Sequence, residues 1–254
     1  MIKQVAHPSK LAPLFADWPE MMIRACLQGV MGKMYANEAQ TAAMILLGDF
    51  AFYAGVPDAS LAAFVPQDVC WSGKLLIPHD AAWDGLLGQV WRDRAEHRTR
   101  FAVRKEPVSV FDRDRLRRLA AVPSGMTLHA IDEELYQRCL SEEWTRDFVA
   151  NYPDAASFLR EGLGVVLMRG DEILAGASSY ASYREGIEIE IDTRSDVRRQ
   201  GLATVCAANL ILRCLELGLY PSWDAQNKMS LGLAEKLGYH AGTPYPVWEV
   251  FRPL

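Results

Sequence analysis

The sequence has no apolar run long enough to cross a bilayer. Its longest apolar stretches, Ala42 to Leu47 and Phe50 to Val56, are separated by Gly48 and Asp49, far short of the roughly 20 residues a membrane-spanning helix needs. It has no excess of basic residues either. Against 27 Lys and Arg stand 32 Asp and Glu, a formal net charge of -5, so nucleic acid is not an expected partner. The N-terminal Met1-Ile2-Lys3-Gln4 turns polar around His7 to Lys10. The apolar core of roughly 7 to 15 residues that a signal peptide carries is missing, and the expectation is a cytoplasmic protein. There is no C-x-x-C pair: Cys26, Cys70, Cys139, Cys206 and Cys214 are scattered, which suits small buried thiols better than a disulfide framework. His7, His79, His97, His129 and His240 lack metal-ligand spacing, so no metal site is expected. No internal repeat or low-complexity tract is visible.

What is present is a globular composition, 50% apolar and 23% charged over 254 residues, enough for one large domain or two of ordinary size. From Lys10 to Phe64 the pattern predicts helices, with Trp18, Met22, Ala25, Cys26 and Gly29 at three and four spacings and Asn37 to Leu47 behaving likewise. Pro57, Pro66 and Pro78 punctuate short apolar runs before a helical period returns over Ala81 to His97. Trp18, Trp71, Trp83 and Trp91 read as core aromatics. Phe101 to Val103 and Val108 to Phe111 read as short strands, or as a strand and its turn, and Arg113 to Ala121 as a helix. The charge-rich stretches Arg92 to Arg100 and Arg113 to Arg118 read as solvated helix faces. Pro123-Ser124-Gly125 then suggests a boundary, with a mainly helical α/β domain over residues 1–124 and a second domain over 125–254.

Beyond Gly125 strands and helices alternate more regularly. The expected order is a strand (Met126 to Ile131), two helices (Glu133 to Cys139, Ala155 to Glu161) and strands over Gly164 to Arg169, Glu172 to Tyr183 and Gly186 to Thr193. A long helix (Leu202 to Leu217), a short strand (Tyr220 to Trp223), a helix (Lys228 to Leu237) and a final strand broken by Pro244 and Pro246 complete it. This is an α+β fold with a mixed, mostly antiparallel sheet and flanking helices.

The most informative segment is Gly186 to Leu217. Ile187, Ile189 and Ile191 alternate with Glu188, Glu190 and Asp192, as a strand with one apolar and one polar face requires. Arg194-Ser195-Asp196-Val197-Arg198-Arg199-Gln200-Gly201-Leu202-Ala203-Thr204 leads straight into a helix. A helix start offers unsatisfied N–H donors and a positive dipole end, so a glycine flanked by arginines there is a natural cradle for a pyrophosphate. Gly201 lets the backbone come close where a Cβ would collide with phosphate oxygens.

This segment resembles the Gcn5-related N-acetyltransferases, whose cofactor loop has Arg or Gln, two residues, Gly, any residue, then Gly or Ala. Arg198, Gly201 and Ala203 match it, and Asn227 with Gly238-Tyr239 match a second hallmark of the family. The stretch Phe101 to Tyr239, notably Gly186 to Thr193 and Pro221 to Asn227, is similar to the subfamily that includes zwittermicin resistance proteins and carries an extra N-terminal domain. Gly48 to Gly55 is similar to part of that extra domain. The resemblance implies acetyl-CoA as cofactor. Ile191, Asp192 and Thr193 would offer main-chain groups to the pantetheine arm, Arg198, Arg199, Gln200, Gly201, Leu202, Ala203 and Thr204 would hold the pyrophosphate, and Asn227, with Ser230 on the same helix, would approach from the other side. It further implies that the strands Gly186 to Thr193 and Tyr220 to Trp223 splay apart, with the thioester carbonyl in the gap against a strand N–H.

An attacking amine must lose a proton, so a carboxylate near the gap is wanted. Glu188 and Glu190 qualify by position, and Asp224 beyond the fifth strand is the other choice; the alternatives are, for the glutamates, a solvated strand face or binding of a cationic acceptor without proton transfer, and for Asp224 a helix cap. Many family members carry a Tyr as general acid where this chain has Ala234, leaving Ser230 or Tyr239 as the nearest substitutes. The expected function is acetyl-CoA-dependent N-acetylation of a small-molecule amine by direct attack. A CoA-binding sensor or interaction module without turnover is the alternative.

Overall fold

The computed structural model describes residues 1–253. The chain forms two compact units, one of Met1–Phe101 with residues 243–253 and the other of Ala102–Gly242. Pro123-Ser124-Gly125 therefore falls inside the second unit and not between units. The residues just before it are tied to the body of unit 2: Asn209 Nδ2 donates to the Ala120 carbonyl at 2.9 Å and Arg113 Nη2 to the Leu215 carbonyl at 3.3 Å. A Pro-Gly turn fixes only a local change of direction.

Unit 1 is organised by a sheet, which corrects the expectation of a mainly helical domain. β1 (Ile2–Gln4), β2 (Lys33–Asn37), β3 (Ala42–Leu47) and β4 (Phe50–Gly55) pair antiparallel in sequence order, and β5 (Leu75–Pro78) adds parallel to β4. β6 (Ala95–Val103) and the last strand, β13 (Ala241–Val250), extend it; β13 continues through Pro244 and Pro246. The helices are α1 (Met21–Leu27), α2 (Ala59–Ala62) and α3 (Ala81–Trp91). Asn37 to Leu47 gave a helical count, yet every residue of Ala42–Leu47 is buried in a strand paired on both edges. Such a strand reads as an unbroken apolar run that periodicity cannot tell from a buried helix. Gly48 is left-handed at φ +54 in the two-residue loop joining β3 to β4, as short hairpins favour.

The helix foreseen up to His97 stops at Trp91. Arg92 takes φ +43 and the chain turns extended from Ala95. Arg100, expected on a solvated helix face, is a buried strand residue with its guanidinium 4.9 Å from the Phe50 ring centroid, a cation–π contact. Trp71, Trp83 and Trp91 lie in the core, where Trp83 Nε1 donates to the Gly55 carbonyl at 2.8 Å and Trp91 Nε1 to the Ala62 carbonyl at 3.0 Å. Cys70 is exposed, against the expectation of a buried thiol; the other four cysteines are buried, and burial pushes each of their thiols up to about 12.

Unit 2 follows the expected order closely. A 3-10 turn at Val108–Val110 follows the strand that ends at Val103, the second of the two readings of that stretch, and then come α4 (Arg113–Leu119), β7 (Thr127–Ala130), α5 (Glu133–Ser141), α6 (Ala155–Glu161), β8 (Gly164–Arg169), β9 (Glu172–Tyr183) and β10 (Gly186–Thr193). Then come α7 (Leu202–Glu216), β11 (Tyr220–Ser222), the two-residue β12 (Asp224–Ala225) and α8 (Lys228–Leu237). The sheet order is β11-β10-β9-β8-β7, antiparallel except for the parallel β10–β11 pair. Unit 1 has the same plan in β1 to β5, three antiparallel pairings closed by one parallel pairing. The plan repeats without a sequence repeat because strand order depends on edges and connections, and many side-chain sets satisfy it.

Candidate active site

The site is built where β10 and β11 part. The parallel register runs Gly186↔Tyr220, Ile187↔Pro221 and Glu188↔Ser222, and β11 ends at Ser222. β10 continues to Thr193, paired only with β9. Its main-chain groups beyond Glu188 on the side away from β9 thus lie outside the strand ladder. At the same point the β9–β10 register slips: Glu188 faces Ala181 while Ile189 faces Ser179, leaving Tyr180 as the extra residue of a bulge. Asn151 Nδ2 donates to the Tyr180 carbonyl at 3.0 Å. Bulges re-aim a strand beside a site and raise its twist, consistent with β10 leaving its parallel partner there.

The loop from β10 to α7 fits an anionic ligand. Arg199 and Gly201 have φ of +64 and +81, and a Cβ built on Gly201 would meet no protein atom within 4 Å. Packing therefore does not demand glycine here; the left-handed backbone and the open approach do. Gly201 is the N-cap of α7, and no side chain caps that helix, so the first-turn N–H groups of Leu202, Ala203 and Thr204 keep the donor capacity of an uncapped helix start. Arg198 is turned back: its Nε donates to the Thr193 carbonyl at 3.0 Å and its Nη2 to Asp192 Oδ1 at 3.2 Å. It ties the loop to the end of β10, while Arg199 and Gln200 are exposed. Thr193 Oγ1 is buried and has no hydrogen-bond partner among the described residues.

The corresponding step in unit 1, from β4 to α2, is closed to anions. Asp58 caps α2, accepting from Leu61 N at 3.0 Å, and takes a bond from Asn37 Nδ2 at 2.9 Å. Burial works against its charge, but the Asn37 amide and the Leu61 and Ser60 N–H groups outweigh it and hold the carboxyl below the usual range. A fixed negative charge thus occupies the position where unit 2 offers bare N–H donors.

Of the three carboxylates, Glu188 is buried at 3% exposure, Glu190 is half-buried and Asp224 is half-buried in β12. β10 is an internal strand of its sheet, so the reading of Glu188 as a solvated edge residue does not hold. Asp224 does not cap α8; Asn227 does, its Oδ1 accepting from Met229 N and Ser230 N at 3.0 Å each. Ser230 Oγ accepts from Trp223 Nε1 at 3.2 Å. Ala234 is fully buried, and the Tyr239 hydroxyl donates to the Pro221 carbonyl at 2.7 Å. Burial pushes the Tyr239 phenol well above its ordinary range, and its proton is held by the Pro221 carbonyl, so Tyr239 is not a ready proton donor. Sequence reading passed over Lys105, whose Nζ donates to Ser222 Oγ at 2.8 Å. No local signal could have found it, because its partner is 117 residues away.

Comparison with known proteins gives one answer. The GNAT acetyltransferase family model matches residues 12–248. A solved structure from Streptococcus suis 89/1591, described as a GCN5-related N-acetyltransferase-like protein, is 44% identical, covers 96% of this chain and 98% of its own, and superposes with a TM-score of 0.88. A Bacillus subtilis protein described as an uncharacterized N-acetyltransferase, YdfB, is 28% identical over 176 residues, 68% of this chain. That match spans 64% of the relative's length, under two thirds. An acetyltransferase structure from Colwellia psychrerythraea, 12% identical with a TM-score of 0.53 over 99% of this chain and 100% of its own, shares the fold.

Proposed function

The chain belongs to the GNAT acetyltransferase family, and we propose that it is an acetyl-CoA-dependent N-acetyltransferase acting on the amine of a small molecule, within the zwittermicin-resistance-like group. The observation that carries this reading is the divergence of β10 from β11 beside an uncapped helix start at Gly201. Acetyl-CoA, when bound, supplies the acetyl group as a reactive thioester.

The first-turn N–H groups of α7, with Arg199 and Gln200, hold the pyrophosphate. Arg198 acts from behind, fixing the loop to Asp192 and Thr193. The main chain of Ile191 to Thr193 orients the pantetheine arm, and Asn227 with Ser230 shapes the opposite wall by fixing the start of α8. Glu188 takes the proton that the neutral amine gives up as it attacks the thioester, directly or through water, and the departing thiolate is protonated from solvent. Cys206 and Cys214 are buried in α7 with thiols pushed up to about 12, which argues against a cysteine-linked acyl intermediate, since the thiolate is the nucleophile. Ala234 favours a second reading, a CoA-binding sensor without turnover.

Incubating the protein with acetyl-CoA and a panel of small amines, and following free thiol, tests the proposal. Amine-dependent thiol release is expected; binding of acetyl-CoA with no release for any amine would leave the sensor reading in its place. Calorimetry with acetyl-CoA is expected to give one site per chain, because the unit 1 counterpart of the cradle carries Asp58. A stoichiometry of two would contradict the role assigned to that carboxylate.

A further inference from the structure

Lys105 lies outside every residue assigned so far, in the unremarkable run Arg104-Lys105-Glu106-Pro107. Its ammonium donates to Ser222 Oγ at 2.8 Å and to the Trp223 carbonyl at 3.1 Å. These are the last residue of β11 and the one after it, where β11 leaves β10. The backbone carrying Lys105 is itself fixed: Arg104 N donates to the His240 carbonyl at 3.0 Å, and Glu106 Oε2 meets His240 Nδ1 at 2.6 Å. Ser222 is the register partner of Glu188, and register partners carry their side chains on the same face of a sheet. The ammonium bonded to Ser222 Oγ is therefore on the Glu188 face.

The other titratable groups about this point are the phenols of Tyr183, Tyr220 and Tyr239, the Glu106–His240 pair and Cys214 within α7. Burial pushes the Tyr220 phenol up, the charges of Glu188 and Glu106 add to this, and that of Lys105 opposes it; the same phenol therefore senses both Lys105 and Glu188. Tyr239 senses Glu188, Tyr220, Tyr183 and Cys214.

We propose that Lys105 is a positioning residue for the acetyl-transfer site, pinning the end of β11 where it departs from β10 and, by its charge, keeping the Glu188 carboxylate ionised. A fixed cation favours the charged form of a nearby carboxylate, which burial alone would disfavour. Removing the cation makes Glu188 hold its proton to higher pH. The consequence for catalysis rests on Glu188 being the proton acceptor; the electrostatic coupling does not.

The test is an NMR titration of the full chain labelled with 13C-glutamate. The Glu188 side-chain signal is identified by its loss in Glu188→Gln and followed in the native protein, Lys105→Met and Lys105→Arg. In Lys105→Met the signal is expected to titrate about one pH unit higher or more, with Lys105→Arg near native. Coincident titration of the Met variant and the native protein overturns the proposal, as does an Arg variant that behaves like Met. If Lys105→Met does not fold, Lys105→Gln takes its place with the same expectations. Turnover separates the two claims. Full activity in Glu188→Gln with a shifted Glu188 titration in Lys105→Met removes Glu188 as base and leaves the coupling; lost activity with an unshifted titration does the reverse.

Discussion

Glu188→Gln is expected to lower kcat/KM by on the order of 10²-fold or more, the usual cost of losing a general base, while leaving acetyl-CoA affinity within about threefold. The substitution keeps the shape of a side chain that is 3% exposed and removes only its basicity. In the native enzyme the base must be ionised to act, so activity is lost as pH falls and rises with pH along the acid limb. In Glu188→Gln that limb should flatten. Glu190→Gln is expected to cost less than about tenfold, because Glu190 lies half-buried two residues beyond Glu188, where the β10–β11 pairing ends. Measuring pH–rate profiles of both variants with the amine found by thiol release decides the matter. Full turnover in Glu188→Gln across the pH range would falsify its role and turn attention to Asp224 or solvent.

Gly201→Val is expected to weaken acetyl-CoA binding at least tenfold, about 1.4 kcal/mol. Two effects act together. The residue stands at φ +81, a left-handed conformation that costs an L residue roughly 1–2 kcal/mol and a β-branched one more, so the loop must relax away from its binding geometry. The added carbons would also extend into the approach where a Cβ meets no protein atom. Gly170→Val is the matched control: Gly170 is likewise left-handed at φ +55 and unobstructed, but lies in the β8–β9 turn. It should lose comparable stability in thermal melts and bind acetyl-CoA normally. Equal affinity of a folded Gly201→Val variant and the native protein, by calorimetry, would remove the loop from the cofactor site.

Asn227 shows how an expectation from family resemblance and one from local chemistry can differ. Its place before Lys228-Met229-Ser230 is that of an ordinary N-cap, and its side-chain oxygen accepts the two cap bonds. Asp224, two residues before Gln226, lacks that position and does not cap.

Local sequence determined what local physics controls. The period of two over Gly186 to Thr193, the helix from Leu202, the hairpin turn at Gly170-Asp171 and the glycine at the helix start all follow from side chains within a few residues of one another, and the structure has them at those places. Tertiary structure decided the rest, since it depends on which edges meet. Ala42–Leu47 became a strand because β2 and β4 took its two edges, whereas the same six apolar residues would also satisfy a buried helix. Glu188 became a buried carboxylate and not a solvated one because Tyr220–Ser222, more than thirty residues on, paired beside it. Lys105 reached Ser222 across 117 residues. Such pairings are set by the register and burial of the whole sheet, and no periodicity within a single segment encodes them.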